Sequence, residues 1–406
     1  MSNTNLTIDM ITKEALRIAH EKATFLTTID RQYDEAFGKE GGKIGNALRI
    51  RLPNQYTRTQ GSRVADVQDT ETKKVTLTMA TQDHVAMRFN SAELYTDIDT
   101  FSKKHIEPAM ATLISGVESD VLRALTKKVY NTVGSAGTPI TTLDVPGKAR
   151  ARLNQCLAPK DMNRAVQLDS VTMAGMVNGM AAYFAPQAAV SERFTEGFVK
   201  RTSMADYYEN ERVYTHTVGS DVTVNTSAAA AVTDGGTNIT MNSTDGNINA
   251  GDVFTVAGVY ACHPETKAAL PYLQQYVANA ASTGAVTVSP PTILTGPYQN
   301  VCSASGAALA TTDFNSKTMT FVGTANASYV QPIMYHKEAF AFVTGDLPLM
   351  GGADRCSRQS YEGISLRVWQ DGDIRNDELI TRIDILYGYE AIRPQWACRM
   401  VGAAVA

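Results

Sequence analysis

Two spacings of apolar residues alternate along this chain. Between residues 6 and 22, Ile8, Ile11, Ala15, Leu16 and Ile18 recur at three and four, with Thr7 placed as an N-cap. That period predicts a short amphipathic helix. From 44 to 94 the period becomes two. Leu48, Ile50 and Leu52 alternate with Arg49 and Arg51, and Val75, Leu77 and Met79 alternate with threonines. Val85, Met87 and Phe89 do the same with Ala86 and Arg88. Alternation of this kind predicts long strands with one apolar face. The polar stretch Asn54 to Lys74 separates the halves, so the simplest object is a long two-stranded β-arm. A lone hairpin is marginal in water. The arm is therefore expected to lie against another surface.

The helical period then returns. Ile106, Met110, Leu113, Ile114, Val117, Val121, Leu125 and Val129 form one stripe. They predict a helix of about 24 residues starting near Pro108, roughly 36 Å long, with Gly134 to Gly137 ending it. Further helices are predicted at 147–157 and at 170–184, the second closed by Pro186, with a strand at 165–168 between them. Late strands are predicted at 339–343, 366–370 and 382–386.

Charge distribution changes this picture. From Val218 to Val330 there are eight charged residues and no arginine, with a sum of −4. The rest of the chain is neutral. The segment is rich in Gly, Ser, Thr, Asn and Ala. Short β-type runs lie at 253–259, 286–289 and 319–322, and turn signals at Asp234-Gly235-Gly236, Asp245-Gly246 and Thr283-Gly284 separate them. It reads as a small antiparallel β-domain or barrel inserted into one split domain.

The 406 residues are 44% hydrophobic and 19% charged, with net charge −4, which is globular and not disordered. A dedicated nucleic-acid binder would carry a basic balance. No apolar run reaches about 18 residues, and the first residues lack a basic n-region followed by an apolar stretch, so neither a membrane span nor a secretory signal is expected. Five scattered cysteines, Cys156, Cys262, Cys302, Cys356 and Cys398, contain no C-x-x-C pair. A reducing, intracellular place of synthesis fits them.

Candidate chemistry is sparse. The glycine cluster 38–45 fails as a phosphate loop, because Phe37 and Ile44 stand where a glycine and a hydroxyl are required. Asp371, Asp373 and Asp377 begin like a calcium loop, but Asn376 and Arg382 occupy the positions of its glycine and glutamate, so a charged turn is expected. The six histidines, His20, His84, His105, His216, His263 and His336, show no metal-ligand spacing. No G-x-S-x-G elbow occurs, and the methionines of 173–180 are spaced for packing. One feature stands out. Between Lys39 and Arg63 lie six basic residues against Glu40 alone. Arg49, Arg51, Arg58 and Arg63 sit on or beside the β-arm and are candidates for clasping an acidic surface of a neighbouring copy or a polyanion.

Ordered stretches along the whole chain carry a resemblance. They are Lys43 to Pro53, Val67-Gln68-Asp69, Asp97 to Phe101 with Ile106 to Ala109, Gly251 to Tyr260, His336 to Phe340, Asp384 to Gly388, and Arg393-Pro394. This set resembles the major capsid (coat) proteins of tailed double-stranded DNA phages, and most nearly the coat family of the short-tailed phage P22. The resemblance implies an α+β, Hong Kong 97-like capsid fold. Its expected parts are an N-terminal arm (1–40), an extended β-loop (41–98) and a peripheral domain with a spine helix (99–145). An axial domain (146–216), an inserted antiparallel β-barrel-like domain (217–330) and an axial and peripheral return (331–406) complete it. The implied function is structural, not enzymatic, and needs no cofactor or metal. The protein would self-assemble into hexamers and pentamers of an icosahedral shell around double-stranded DNA, with synthesis in the host bacterial cytoplasm. Itself, a scaffolding protein and a portal are the implied partners, with non-specific DNA contact and no membrane. In the family a loop of the inserted domain joins capsomers through charged contacts. With so few charges here, that role is not carried over. A β-rich surface adhesin or binding module is the alternative, and it requires the export signals and repeats that the sequence lacks.

Overall fold

The computed structural model describes residues 8–31, 47–61, 72–90, 105–180, 201–202, 205–242, 247–351, 355–373, 375–376 and 378–405. Its four helices among these are α1 (Ile8–Lys22), α2 (Glu107–Lys128), α3 (Asp144–Gln155) and α4 (Ser170–Met180). The strands, in chain order, begin with β1 (Ala47–Arg51), β2 (Lys74–Asn90), β3 (Thr132–Gly134), β4 (Arg164–Leu168), β5 (Arg201–Thr202), β6 (Ala205–Glu209) and β7 (Thr215–Thr217). Next come β8 (Thr223–Asn225), β9 (Gly236–Thr240), β10 (Val253–Cys262), β11 (Ala269–Ala278), β12 (Ala285–Thr292), β13 (Val301–Cys302) and β14 (Thr318–Phe321). The last are β15 (Ser328–Val330), β16 (Ile333–His336), β17 (Phe340–Gly345), β18 (Arg355–Tyr361), β19 (Ile364–Asp373), β20 (Glu378–Ala391), β21 (Ala397–Val401) and β22 (Ala404–Val405). The chain divides into two compact units. One comprises Met1–Ile50, Lys74–Leu122 and Phe340–Ile392, and the other Arg51–Lys73, Arg123–Ala339 and Arg393–Ala406.

In the first unit a sheet runs β1-β2-β20-β19-β18, and β17 also pairs with β20. The long strand β2 pairs with β1, as the two-stranded reading expects, and its other edge lies on β20, so the arm is not alone. β2 pairs antiparallel with β20 from Asn90 opposite Glu378 to Met79 opposite Gly388. A partner separated by almost 300 residues satisfies the edge that a hairpin leaves open, and no local pattern announces it. The single apolar face is also corrected. A bulge between Met79 and Thr81 shifts the register, because Met79 faces Gly388 while Thr81 faces Tyr387. Adjacent residues of β20 point to opposite faces, so Leu77 and Met79 lie on the opposite side of the sheet from Val85 and Met87 despite their shared parity. The bulge requires a glycine opposite it. A Cβ on Gly388 would come within 2.2 Å of the Thr78 carbonyl oxygen.

Helix α1 packs on β18 and β19. Its Ile11, Ala15, Leu16 and Ile18 are buried, as the helical period predicts, and so are Leu366, Val368, Ile383 and Ile385 of the sheet. Thr7 lies outside the described residues. All eight stripe residues of 106–129 are buried. Inside that stripe Glu118 is also fully buried, and its carboxylate accepts the backbone N–H groups of Thr24 (2.9 Å) and Phe25 (3.0 Å). It satisfies donors in the turn that follows α1. Helix α2 ends at Lys128, short of the glycines. Val129 N–H reaches back only to the Thr126 carbonyl, and β3 then begins at Thr132.

In the second unit β8-β14-β10-β11-β12-β9 form an antiparallel sheet, with β13 added on β10. Its two end strands meet through an antiparallel bridge between Thr226 and Met241, reinforced by Ser227 N–H to the Thr240 carbonyl at 2.9 Å. The ring of strands is thereby closed. Phe254, Val256, Tyr276, Val286, Val288, Met319 and Phe321 are among the residues of its core. Phe254 stands at the centre, 4.9 Å from the Phe321 ring and 5.8 Å from the Tyr276 ring. The antiparallel strands that the sequence reading assigned to a small β-domain or barrel are present, although Asp245 and Gly246 fall outside the described residues. A mixed sheet, β3-β21-β16-β4-β6-β5, shares this unit, with β3 parallel to β21 and β4 parallel to β6. Helices α3 and α4 contribute to its core. Helix α3 starts and stops earlier than predicted. Leu157 takes φ +60°, and Ala158 N–H reaches the Leu153 carbonyl, which closes the helix without a glycine. The predicted helix 170–184 is described as far as Met180.

Candidate assembly surface

The arm presents its charges by strand periodicity. In β1 the side chain of Ile50 is buried, whereas Arg49 and Arg51 are exposed and point to the opposite face. Leu52, next in the alternation, donates its N–H to the Lys73 carbonyl at 2.9 Å, so the strand pairing continues one residue beyond β1. From there to Gly61 the chain has no regular structure, and Arg58 is exposed within it. Arg49, Arg51 and Arg58 make no hydrogen bond or ion pair among the described residues. Arg63, Lys39 and Lys43 lie outside those residues. β1 is an edge strand, and its outer side has no strand partner among the described residues. Charge on an edge strand blocks indiscriminate strand addition while leaving a surface for a specific acidic partner.

Lys73 immediately precedes β2. It is half-buried, with its ammonium 3.8 Å from the centroid of the Tyr298 ring. Lys74, the next residue, is exposed.

A second charged group was not visible in the sequence. Asp384 on β20 is fully buried. It accepts Arg367 Nη2 (2.6 Å) and Nε (3.2 Å), Arg382 Nε (2.6 Å) and Trp369 Nε1 (3.0 Å). The register places Arg367 opposite Asp384, and Trp369 opposite Arg382. On the other face of the sheet Tyr387 donates its hydroxyl to Asp83 of β2 at 2.9 Å. Burial first, and then that carboxylate, push the phenol well above its ordinary pKa. Alternation predicts that residues of one strand share a face. It does not predict which strand lies alongside, so these pairs needed the register.

The weak motifs take structural roles. Asp373 accepts Arg375 N–H (2.9 Å) and Asn376 Nδ2 (2.7 Å), which makes a charged turn, and Asp377 lies outside the described residues. His263 Nδ1 accepts the backbone N–H groups of Glu265 and Thr266, both at 3.3 Å, while the Cys262 thiol points to the His263 carbonyl. Burial pushes the Cys156 and Cys302 thiols up to about 11 and the Cys398 thiol up to about 12, which leaves them poor nucleophiles. Among the described residues no three His, Cys, Asp or Glu side chains are grouped to hold a metal, and no helix is long and apolar enough to cross a membrane.

A family model described as "P22 coat protein - gene protein 5" matches residues 46–403. The chain belongs to that family. It is thus a phage capsid shell protein, from a structural family and not an enzyme family, and capsids of this kind are built from copies of the protein itself. Such membership leaves no place for the adhesin alternative. A search of curated proteins finds no match. Among solved structures the chain is similar to one titled "Mycobacterium phage Che8", at 10% identity and TM-score 0.48, covering 93% of this chain and 90% of that one. It is also similar to a virus-like particle from Pyrococcus furiosus, at 8% identity and TM-score 0.42, covering 96% and 97%. A third is the capsid of Ralstonia phage GP4, at 7% identity and TM-score 0.43, covering 89% and 85%.

Proposed function

We propose that this coat protein assembles into the hexamers and pentamers of an icosahedral shell enclosing the phage's double-stranded DNA. Membership of the coat family over residues 46–403 carries the reading. Repeated head-to-tail contacts between copies, closed by symmetry, are the physical basis. The arm supplies one such contact. Arg49, Arg51, Arg58 and Arg63 engage acidic groups of the adjacent subunit, which provides the counter-charge that the described part of a single chain does not offer the first three. The arm is the extended loop of a Hong Kong 97-type fold, α2 its spine helix, and the barrel of 223–321 its inserted domain. A scaffolding protein and a portal are the other partners, and synthesis takes place in the host cytoplasm. The near-neutral body tolerates packaged DNA through non-specific contact and has no need to read bases. Negative-stain microscopy of the purified protein tests the reading. Closed shells or capsomers are expected, and uniform monomers at assembly concentrations would contradict it.

A further inference from the structure

Within the second unit a cavity of about 430 Å³ is lined by Arg123 and Lys127 of α2, Tyr214 and His216 at β7, and Asn249. Thr215, Thr217 and Ala250 complete its lining. Its charge balance is uneven. Asp252 is fully engaged: Oδ1 lies 2.7 Å from His216 Nε2, and Oδ2 accepts the N–H groups of Asn249 (2.7 Å) and Gly219 (3.2 Å). It has no capacity left for the cavity. Arg399, buried on β21, donates only to the backbone carbonyls of Gly251 (2.7 Å) and Lys127 (2.9 Å), and its Nε has no partner. Among the described residues three cations thus surround one carboxylate that is already taken. Burial, then Arg123 and Arg399, push the Lys127 ammonium below its ordinary pKa. A helix C-terminus ordinarily disfavours an anion. Here the guanidinium of Arg399 covers the Lys127 carbonyl and offsets that penalty.

We propose that this cavity binds a phosphate-class oxyanion between Arg123 and Lys127, with Tyr214 and His216 in its wall. Arg123 and Lys127, one turn apart on α2, supply N–H donors for an ion with several acceptor oxygens, and Tyr214, His216 and Asn249 line the rest of the cavity. In the wall of the cavity His216 Nε2 lies 2.7 Å from Asp252 Oδ1, and its Nδ1 lies 3.0 Å from the Tyr214 hydroxyl, so both ring nitrogens are engaged within the chain.

Titration calorimetry of the full chain tests this, with inorganic phosphate added at matched ionic strength in chloride. Saturable binding at one site per chain is expected. Arg123→Gln and Lys127→Met should each weaken it about tenfold or more, as loss of a charge-assisted contact would, while Lys148→Met, ion-paired to Asp144 on α3, leaves it unchanged. The proposal fails if chloride reproduces the heats or if both cation variants bind as the parent does. Should a variant fold poorly, the His216 ring resonances of the parent chain, followed by NMR during the phosphate titration, give an independent reading. Unmoved resonances would also overturn the site.

Discussion

The barrel of 223–321 and the sheet that carries the arm deal with the unpaired strand edge in different ways. In the barrel, β8 and β9 are brought together by the Thr226–Met241 bridge, so the ring closes on itself around Phe254. Among the described residues the sheet stays open. It ends at β1, a strand of five residues with Arg49 and Arg51 on its exposed face. Closure removes an edge, and a short charged strand only guards one. The barrel's core is thus complete within the chain, and its few charges are not needed for packing. The sheet spends its charges in two ways: Asp384 with its arginines inside, and the arm's arginines outside. In a protein that assembles from copies of itself, the open, charged region is the one with chemistry left for a neighbour.

The largest effects should come from emptying either interior, and they should be local. Asp384→Ala leaves Arg367 and Arg382 without their carboxylate and should cost about 3–5 kcal/mol. Phe254→Ala should cost about 3–5 kcal/mol through the cavity it opens. Trp369 donates to Asp384, so its fluorescence during urea unfolding, read in a Trp396→Phe background, separates the two. Its transition should move to lower urea in D384A and hold in F254A. If F254A shifts it equally, the two regions unfold as one and the comparison collapses.

Next in size is the independence of the barrel. Residues 217–330 expressed alone should give well-dispersed amide resonances and one cooperative thermal transition. The narrow dispersion of a random chain would mean that the bridge does not suffice to close the ring.

A smaller effect on the subunit, with a large one on assembly, is expected from Arg51→Glu with Arg58→Glu. Both positions are exposed, so subunit stability should change by less than about 0.5 kcal/mol. Shell yield, measured by sedimentation, should drop sharply, because reversed charges repel the acidic partner. Normal yield would remove the arm's arginines from the interface.

The smallest expected effect is none at all. Lysine-to-asparagine crosslinks between subunits need a neutral lysine as nucleophile. The Lys73 Nζ is packed 3.8 Å from the Tyr298 ring centroid, and Lys74 is exposed. Particles boiled in detergent and reductant should run as one band near 43.9 kDa. A ladder resistant to reduction would show that assembly strips Lys73 of its proton.

Legibility in the sequence followed the range of the interaction. Period-three-and-four spacing marks α1 and the stripe of 106–129 because neighbours on a helix face are three and four residues apart. Period two marks β1 and β2, and the arginines of β1 are exposed for the same reason. The barrel was visible through composition: a span almost without charge, punctuated by turn residues, has to bury its strands against each other. The register of β2 on β20 was beyond any local pattern, and with it went the bulge at Met79, the glycine at 388 and the burial of Asp384. The same holds for Glu118 capping the turn after α1, for the left-handed Leu157 that ends α3, and for His216 on Asp252. Each of these pairs groups separated along the chain, or a backbone conformation imposed by packing. Local side-chain spacing is set by covalent geometry and can be read from the amino-acid order. Partners of buried charges are set by which strands and helices come to lie together, and only the folded chain decides that.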